Sequence, residues 1–318
     1  MATADQVKSL VKAYIDRDDD RFKTIVLQIA AHEARLGHDG VARDLKSQID
    51  KLGKSVASVV QLTPQNPMLL LSLPKHDISE LIVSDEITEK IQRILNEYRN
   101  RYKLHSYGLT NRRKILIEGQ PGTGKTFTAV VIASKLSLPL YTVQMDKLVT
   151  KFMGETSVKL RQIFDSINSL TGVYFFDEFD AIGADRSLDN EVGEMRRILN
   201  SFLQFIEQDV SESIIIAATN NQRLLDQALF RRFDDVLHYT LPTENEIRRL
   251  LEYKLISYDK HFKITKPLLK AADGLSHAEI VIAAQNAAKQ ALLSGRSKVL
   301  TEDLVVALSE RQRSAREE

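Results

Sequence analysis

The chain has 318 residues, 43% hydrophobic and 27% charged, which predicts a soluble globular protein of about two domains with a sizeable core. A formal net charge of +1 excludes a global pull toward nucleic acid or acidic membranes, and the absence of cysteine excludes disulfides and thiolate metal sites. The first residues lack a basic segment followed by an apolar core, and no apolar run approaches the ~20 residues of a membrane span. A cytoplasmic protein is therefore expected, with neither membrane nor nucleic acid among its partners.

The first segment is helical. Val7, Leu10, Val11, Tyr14 and Ile15 follow the i, i+3, i+4 spacing of one buried face. Phe22, Ile25, Val26 and Ile29 repeat it, as do Val41, Leu45, Ile49 and Leu52, with breaks at Asp18–Asp20 and Gly37–Gly40. This predicts an N-terminal three-helix domain over 1–53, too small to be secure alone. Three of the seven prolines, Pro64, Pro67 and Pro74, mark a linker over 54–76, within which Met68–Leu71 is apolar enough to pack as an edge strand.

From Asp77 the pattern becomes strand–helix alternation. Strands are predicted at Ile115–Glu118, Leu140–Val143, Val173–Phe176, Ile214–Ala217 and Val236–Tyr239, with helical stretches between them. That is an α/β fold, a parallel five-stranded sheet with flanking helices, over 77–241. After Pro242 only helical periodicity remains, with Ile247, Leu250, Leu251 and Leu255 on one face and further helices from Ser276 and Thr301. This predicts a C-terminal helical subdomain over 242–318.

The first predicted strand runs into Gly119-Gln120-Pro121-Gly122-Thr123-Gly124-Lys125-Thr126, a complete G-x-x-x-x-G-K-[ST] phosphate loop, and a helix opens at Phe127. The glycines let backbone N–H groups curl around a polyphosphate, and the helix start adds donors and a favourable dipole. Lys125 would meet the β/γ-phosphates and the Thr126 hydroxyl would sit on Mg²⁺, so ATP and Mg²⁺ are the expected cofactors.

After the second strand, Lys151-Phe152-Met153-Gly154-Glu155 places an aromatic and a methionine on a loop. Such residues either anchor the loop in the core or grip another chain. The strand Val173–Phe176 ends in Asp177 and Glu178. Behind a phosphate loop, Asp177 would hold Mg²⁺ and Glu178 would orient and activate the attacking water. Asn220, at the tip of the next strand, could orient that water or touch the γ-phosphate, or serve as a turn residue. Arg231 and Arg232, before Phe233-Asp234, suit an arginine finger entering a neighbouring subunit. Their plainer reading is an exposed basic turn paired with Asp234 and Asp235. His32, His38 and His277 read as structural.

Together these strings resemble the AAA+ ATPases, specifically the AAA subfamily, over roughly Asp77 to Ser309. In that family Gly119–Thr126 corresponds to Walker A, Val173–Glu178 to Walker B and Asn220 to sensor 1. Asp226–Asp234 is similar to the second region of homology, with the two residues between its arginines missing, which leaves open whether Arg231 or Arg232 is the primary finger. Lys151, Phe152, Met153 and Gly154 match the central pore loop. Tyr107-Gly108-Leu109 resembles the nucleotide-side hinge. Gly274–Glu279 resembles the lid stretch near base and ribose, which puts Ser276, His277 and Ala278 beside the nucleotide, with His277 where the family has glycine.

The resemblance implies a homo-oligomeric ring, typically of six subunits, with ATP between protomers and pore loops moving along a polypeptide. The N-terminal helices are similar in size to microtubule-interacting-and-transport domains. The whole chain also resembles small bacterial single-ring AAA proteins, some encoded beside a subtilisin-like protease in phage-defence pairs. The leading expectation is an ATP-driven protein remodeller or unfoldase whose N-terminal helices recruit a protein substrate or effector. The alternative is a regulatory ATPase whose nucleotide state switches one dedicated effector, a protease or nuclease. A non-catalytic scaffold would have no reason to keep Glu178, Asn220 and two arginines together.

Overall fold

The computed structural model describes residues 4–15, 19–35, 38, 40–45, 66–148, 155–179, 189–220, 230–259, 262–296 and 298–317. The chain divides into two compact units, Met1–Thr63 and Pro64–Glu318. The first contains α1 (Ala4–Ile15), α2 (Asp19–Arg35) and a helical stretch over 40–45. Ala13, Ile25, Val26 and Ala30 are buried. Val7 and Val11, expected on the buried face of α1, are about half exposed, as is Val41. Ile49 and Leu52 lie outside the described residues.

The second unit is built on a six-stranded sheet in the order β1-β3-β4-β5-β2-β6. Its strands are β1 (Leu69–Ser72), β2 (Lys114–Gly119), β3 (Leu140–Val143), β4 (Val173–Phe176), β5 (Ile214–Thr219) and β6 (Asp235–Tyr239). The last five run parallel, and β1 pairs antiparallel with β3 at the edge. The five expected strands form the parallel sheet, and the apolar run inside the proline-marked segment, expected as an edge strand, adds a sixth, antiparallel one. Met68 and Leu69 bury against the sheet core while Leu70 stays exposed. Two bonds secure the start of β1: the Met68 N–H donates to Asn66 Oδ1 at 3.0 Å and the Gln144 N–H to the Met68 carbonyl at 2.9 Å.

Every central strand is apolar on both sides because both faces of the sheet are covered. On one face Leu116, Tyr174, Phe176, Ile215 and Ala217 pack with α7 (Glu155–Ser169) and α8 (Asp189–Gln208). On the other, Ile115, Ile117, Val173, Phe175, Ile214 and Ile216 pack with α3 (Asp85–Arg99) and α5 (Lys125–Leu136). Two short helices, α4 (Arg101–Ser106) and α6 (Met145–Leu148), lie in the connections. A third core belongs to the C-terminal helices α9 (Glu244–Leu255), α10 (Lys266–Ala272), α11 (His277–Leu293) and α12 (Thr301–Glu317). Among the described residues no helix is long and apolar enough to cross a membrane.

An aromatic cluster supports the end of β4. Phe202, fully buried on α8, lies 5.0 Å from Phe176 and 4.4 Å from Phe179 between ring centroids, with Phe164 at 5.9 Å. Phe176 and Phe179 flank Asp177 and Glu178, so the cluster fixes the turn that carries both carboxylates. Phe202→Ala is expected to lower unfolding stability by about 3–5 kcal/mol. Urea denaturation measures this, and a loss below about 1 kcal/mol would show that the cluster repacks without it.

Candidate active site

The C-terminal ends of β4, β5 and β2 are neighbours in the sheet, with Phe176 opposite Ala217 and Glu118 opposite Thr219. The turn after β4, the tip of β5 and the loop after β2 are therefore brought to one edge, where open α/β sheets bind ligands. The helices α9 and α11 close the other side, leaving a cavity of about 420 Å³. Pro121, Gly122, Thr123, Gly124, Lys125, Thr126, Phe127, Asp177, Glu178, Asn220, His277 and Ala278 all line it. The structure thus gathers residues that sequence reading named from four separate strings.

The loop 119–124 is shaped by its glycines and by what lies under it. Gly122 has φ +73°, and a Cβ there would sit 2.6 Å from Ser276 Oγ and 3.2 Å from Ala278 Cβ. Only glycine lets the start of α11 approach so closely, and the Ala278 N–H donates to the Gly122 carbonyl at 2.9 Å. Gly119 lies against Tyr239, whose Cβ would be 2.6 Å from a Cβ at that position. Beneath the loop the Tyr239 phenol and the Thr128 hydroxyl form a buried pair, and Thr128 also donates to the Gly124 carbonyl at 3.0 Å. Burial raises the Tyr239 phenol well above its ordinary range, so it stays neutral.

Lys125 is nearly enclosed, and its ammonium donates to the Gly119 and Gln120 carbonyls at 2.8 Å each. The Thr126 hydroxyl donates to Asp177 Oδ2 at 2.8 Å, across 51 residues of sequence. Asp177 Oδ1 accepts the Glu178 N–H at 3.0 Å. Glu178 itself holds φ +49°, a conformation uncommon for a side chain with a Cβ. Positive φ at such a residue is retained where the surroundings demand it, and Phe176 and Phe179 are fixed on either side.

The residues fit a magnesium nucleotide. The glycine-built cradle offers backbone donors, and Thr126 and Asp177 supply adjacent hard oxygens. Among the described residues no group of three carboxylates or histidines could hold a metal by itself.

The rest of the cavity wall comes from residues the sequence did not single out for the site: Glu80, Leu81, Ile82, Leu250, Lys254 and Val281. The Asp77-x-x-Glu80 capping box opening the short 3-10 turn Ile78–Glu80 was the available signal. The Glu80 carboxylate accepts the Asp77 N–H at 2.7 Å and pairs with His76 at 3.1 Å, which together hold it below the ordinary carboxylate range. Tyr107 and Leu109, read as part of a nucleotide-side hinge, are exposed and lie outside the cavity wall. Ser276 packs against Gly122, where it caps α11 in a capping box with Glu279.

Two sets of named residues fall elsewhere. Lys151, Phe152, Met153 and Gly154 lie outside the described residues. Arg231 and Arg232 sit at the opposite edge of the sheet. The turn that carries them is pinned by Asp234, whose Oδ2 accepts the Arg113 and Lys114 N–H groups at 2.9 and 2.8 Å, at the start of β2. Six residues of strand, roughly 17 Å, separate that point from Gly119. Arg232 pairs with Glu207 at 2.7 Å and not with Asp234 or Asp235, whereas Arg231 is exposed and has no ion-pair partner among the described residues.

Comparison with known proteins agrees with this geometry. The family model "ATPase family associated with various cellular activities (AAA)" matches residues 115–241. An uncharacterized AAA family ATPase of Sinorhizobium fredii is 32% identical over 98% of this chain and 96% of its own length. A proteasome-activating nucleotidase of Saccharolobus solfataricus is 28% identical over 85% of this chain and 74% of its own. An ATP-dependent zinc metalloprotease FtsH 1 of Methylacidiphilum infernorum is 30% identical over 70% of this chain, which spans only 36% of that longer protein. With a near end-to-end relative in the family, and the family model lying over the phosphate loop and both carboxylates, this chain belongs to the AAA family of ATPases.

Proposed function

We propose that this ATPase is a protein remodeller that works as a ring and spends ATP on moving polypeptide. The observation that carries the hydrolytic part is the Thr126–Asp177 hydrogen bond, which joins the phosphate loop to the carboxylate turn in a cavity shared with Glu178 and Asn220. Lys125 and the loop N–H groups bind the β- and γ-phosphates. Thr126 and Asp177 would hold Mg²⁺, which would neutralise charge on the phosphates. Glu178 accepts a proton from the attacking water, and Asn220 orients that water at the neighbouring strand tip.

The remodelling part is supported by the names of relatives that act in protein turnover, a proteasome-activating nucleotidase and an FtsH metalloprotease. The string Lys151-Phe152-Met153-Gly154 would supply the grip, since aromatic contacts tolerate many client sequences. The arginines support a ring, hexameric in this reading. Arg231 and Arg232 are a strand's length from their own cavity, so a guanidinium from this turn serves a neighbour's γ-phosphate. Arg231 is the primary finger because it is exposed and unpaired among the described residues, while Glu207 holds Arg232. The N-terminal helices, with Val7 and Val11 exposed, recruit the protein partner.

Calorimetry with ATP and a phosphate-release assay test the site. Lys125→Ala is expected to weaken ATP binding roughly 10- to 100-fold. Glu178→Gln is expected to keep binding and slow turnover by about 10²- to 10⁴-fold. Near wild-type release from Glu178→Gln would assign the proton transfer to another group.

The finger assignment is tested by comparing turnover of the two single variants. Arg231→Ala is expected to lose about 10³-fold in turnover, and Arg232→Ala less than about tenfold. Activity should partly return when Arg231→Ala is mixed with Lys125→Ala subunits, because each supplies what the other lacks. No recovery at any mixing ratio would rule out action on a neighbour.

Threading is tested by capture. Glu178→Gln protein held with ATP in lysate of its source is expected to retain a mixed set of clients that disappears when Phe152→Ala is added. One stoichiometric partner that survives Phe152→Ala, but not removal of residues 1–53, would replace threading by a switch acting on a dedicated effector.

A further inference from the structure

Tyr239 is a phenol set in an apolar core. It closes β6 opposite Gly119 in the parallel register, within the cluster that includes Ile117, Ala129 and Leu237. Phenylalanine would fill this space as well, so it is the hydroxyl that requires a reason. A phenol among apolar side chains costs free energy unless its O–H is bonded. Its partner is the Thr128 hydroxyl, in the first turn of α5. Thr128 is fully buried, and its own hydroxyl donates to the Gly124 carbonyl at 3.0 Å. A threonine hydroxyl has one proton. With that proton on the Gly124 carbonyl, the bond between the two side chains takes its proton from Tyr239. Burial holds the phenol neutral, so the proton is there to give.

The chain of bonds runs from phenol to hydroxyl to loop carbonyl. Gly124, where it ends, is the residue at which the loop turns into helix, with φ +105°. Its carbonyl also accepts the Thr128 N–H at 3.0 Å, so one residue holds it twice. A peptide bond is planar and trans, so its carbonyl and its N–H point in opposite directions. Holding the Gly124 carbonyl toward Thr128 therefore turns the Lys125 N–H away from the core, toward the cavity that Gly124 and Lys125 line. Tyr239 also meets the other end of the loop. A Cβ at Gly119 would lie 2.6 Å from the Tyr239 Cβ, and one at Gly124 would lie 3.9 Å from the ring edge. A single side chain braces both the first and the last glycine.

We propose that Tyr239 is a positioning residue for the triphosphate: its O–H, acting through Thr128, fixes the Gly124–Lys125 peptide with its N–H aimed at the phosphates. The loop is then ordered before a nucleotide arrives, and binding does not have to supply that order. This rests on the reading of the cavity as a nucleotide site. It goes beyond that reading by assigning part of the phosphate affinity to two buried hydroxyls beneath the loop.

The experiment is equilibrium binding of ATP and of inorganic tripolyphosphate to the full chain, with steady-state turnover alongside. Tyr239→Phe and Thr128→Val each remove one hydroxyl and are expected to weaken both ligands by about three- to tenfold. The factor should be the same for both ligands, since only phosphates are read. KM should rise while kcat stays within about threefold. The double variant should lose no more than about twofold beyond the worse single one, because the two hydroxyls act in series. Thr128→Ser, which restores a hydroxyl, should recover most of the affinity lost in Thr128→Val. If Thr128→Val does not fold, Tyr239→Phe, which keeps the ring, decides the matter with the two ligands. Unchanged affinity in folded variants that only unfold at lower urea would make the pair structural and overturn the proposal. Losses that multiply in the double variant would overturn it too. Lys125→Ala separates the two levels: if it binds both ligands like wild type, the nucleotide reading fails and this proposal with it. If it binds weakly while Tyr239→Phe does not, this proposal alone fails.

Discussion

Leu81, Ile82 and Val83 are consecutive buried residues that serve two cores. Leu81 and Val83 pack with the sheet and α3, while Ile82 packs with the C-terminal helices. Leu81 has extended backbone, in which successive side chains point to opposite sides, so three residues clip the two subdomains together. The second attachment is the Ala278 N–H bond to the Gly122 carbonyl. Between these two ties lies the cavity. Its width depends on Gly122 having no side chain, because a Cβ would push α11 away from the loop. The helical subdomain is thus held against the phosphate-binding loop itself. The tie between loop and lid is thus a backbone bond at Gly122, with the Ser276 side chain packed beside it.

The sheet supplies the other half of the constraint. Five parallel strands buried on both faces leave their C-terminal tips as the natural place for polar groups, and the functional strings occur at those tips. Glu178 sits there with a positive φ that Phe176, Phe179 and Phe202 hold in place. The hydrophobic cluster is therefore part of how the carboxylate is aimed, and packing on α8 reaches the chemistry through two aromatic neighbours.

What was legible in the sequence follows from how local the signal is. The central strands read correctly because burial on both faces makes them short unbroken apolar runs, and the phosphate loop is one contiguous string. β1 was harder to read, because four apolar residues among prolines carry no indication of which strand they join; the partner, β3, lies about seventy residues on. The wall made by Glu80, Leu81 and Ile82, and the contribution of Lys254, have no string of their own: they belong to the site only because the lid folds back. The face expected of α1 failed for the opposite reason. Its periodicity is local and real, but burial requires a partner surface, and among the described residues none covers Val7 and Val11 fully. Periodicity reports which face can be buried, while tertiary contacts decide whether it is.

The arginines show how the two edges of the sheet are related. β2 carries the phosphate loop at its C-terminal end, and at its N-terminal end its backbone is bonded to Asp234, which pins the turn bearing Arg231. One strand thus connects the phosphate-loop end of the cavity to the turn that bears Arg231. Glu207 holds Arg232, while Arg231 is exposed and has no ion-pair partner among the described residues. In a ring built as proposed, displacement of β2 by events at one nucleotide would move the finger presented to the next.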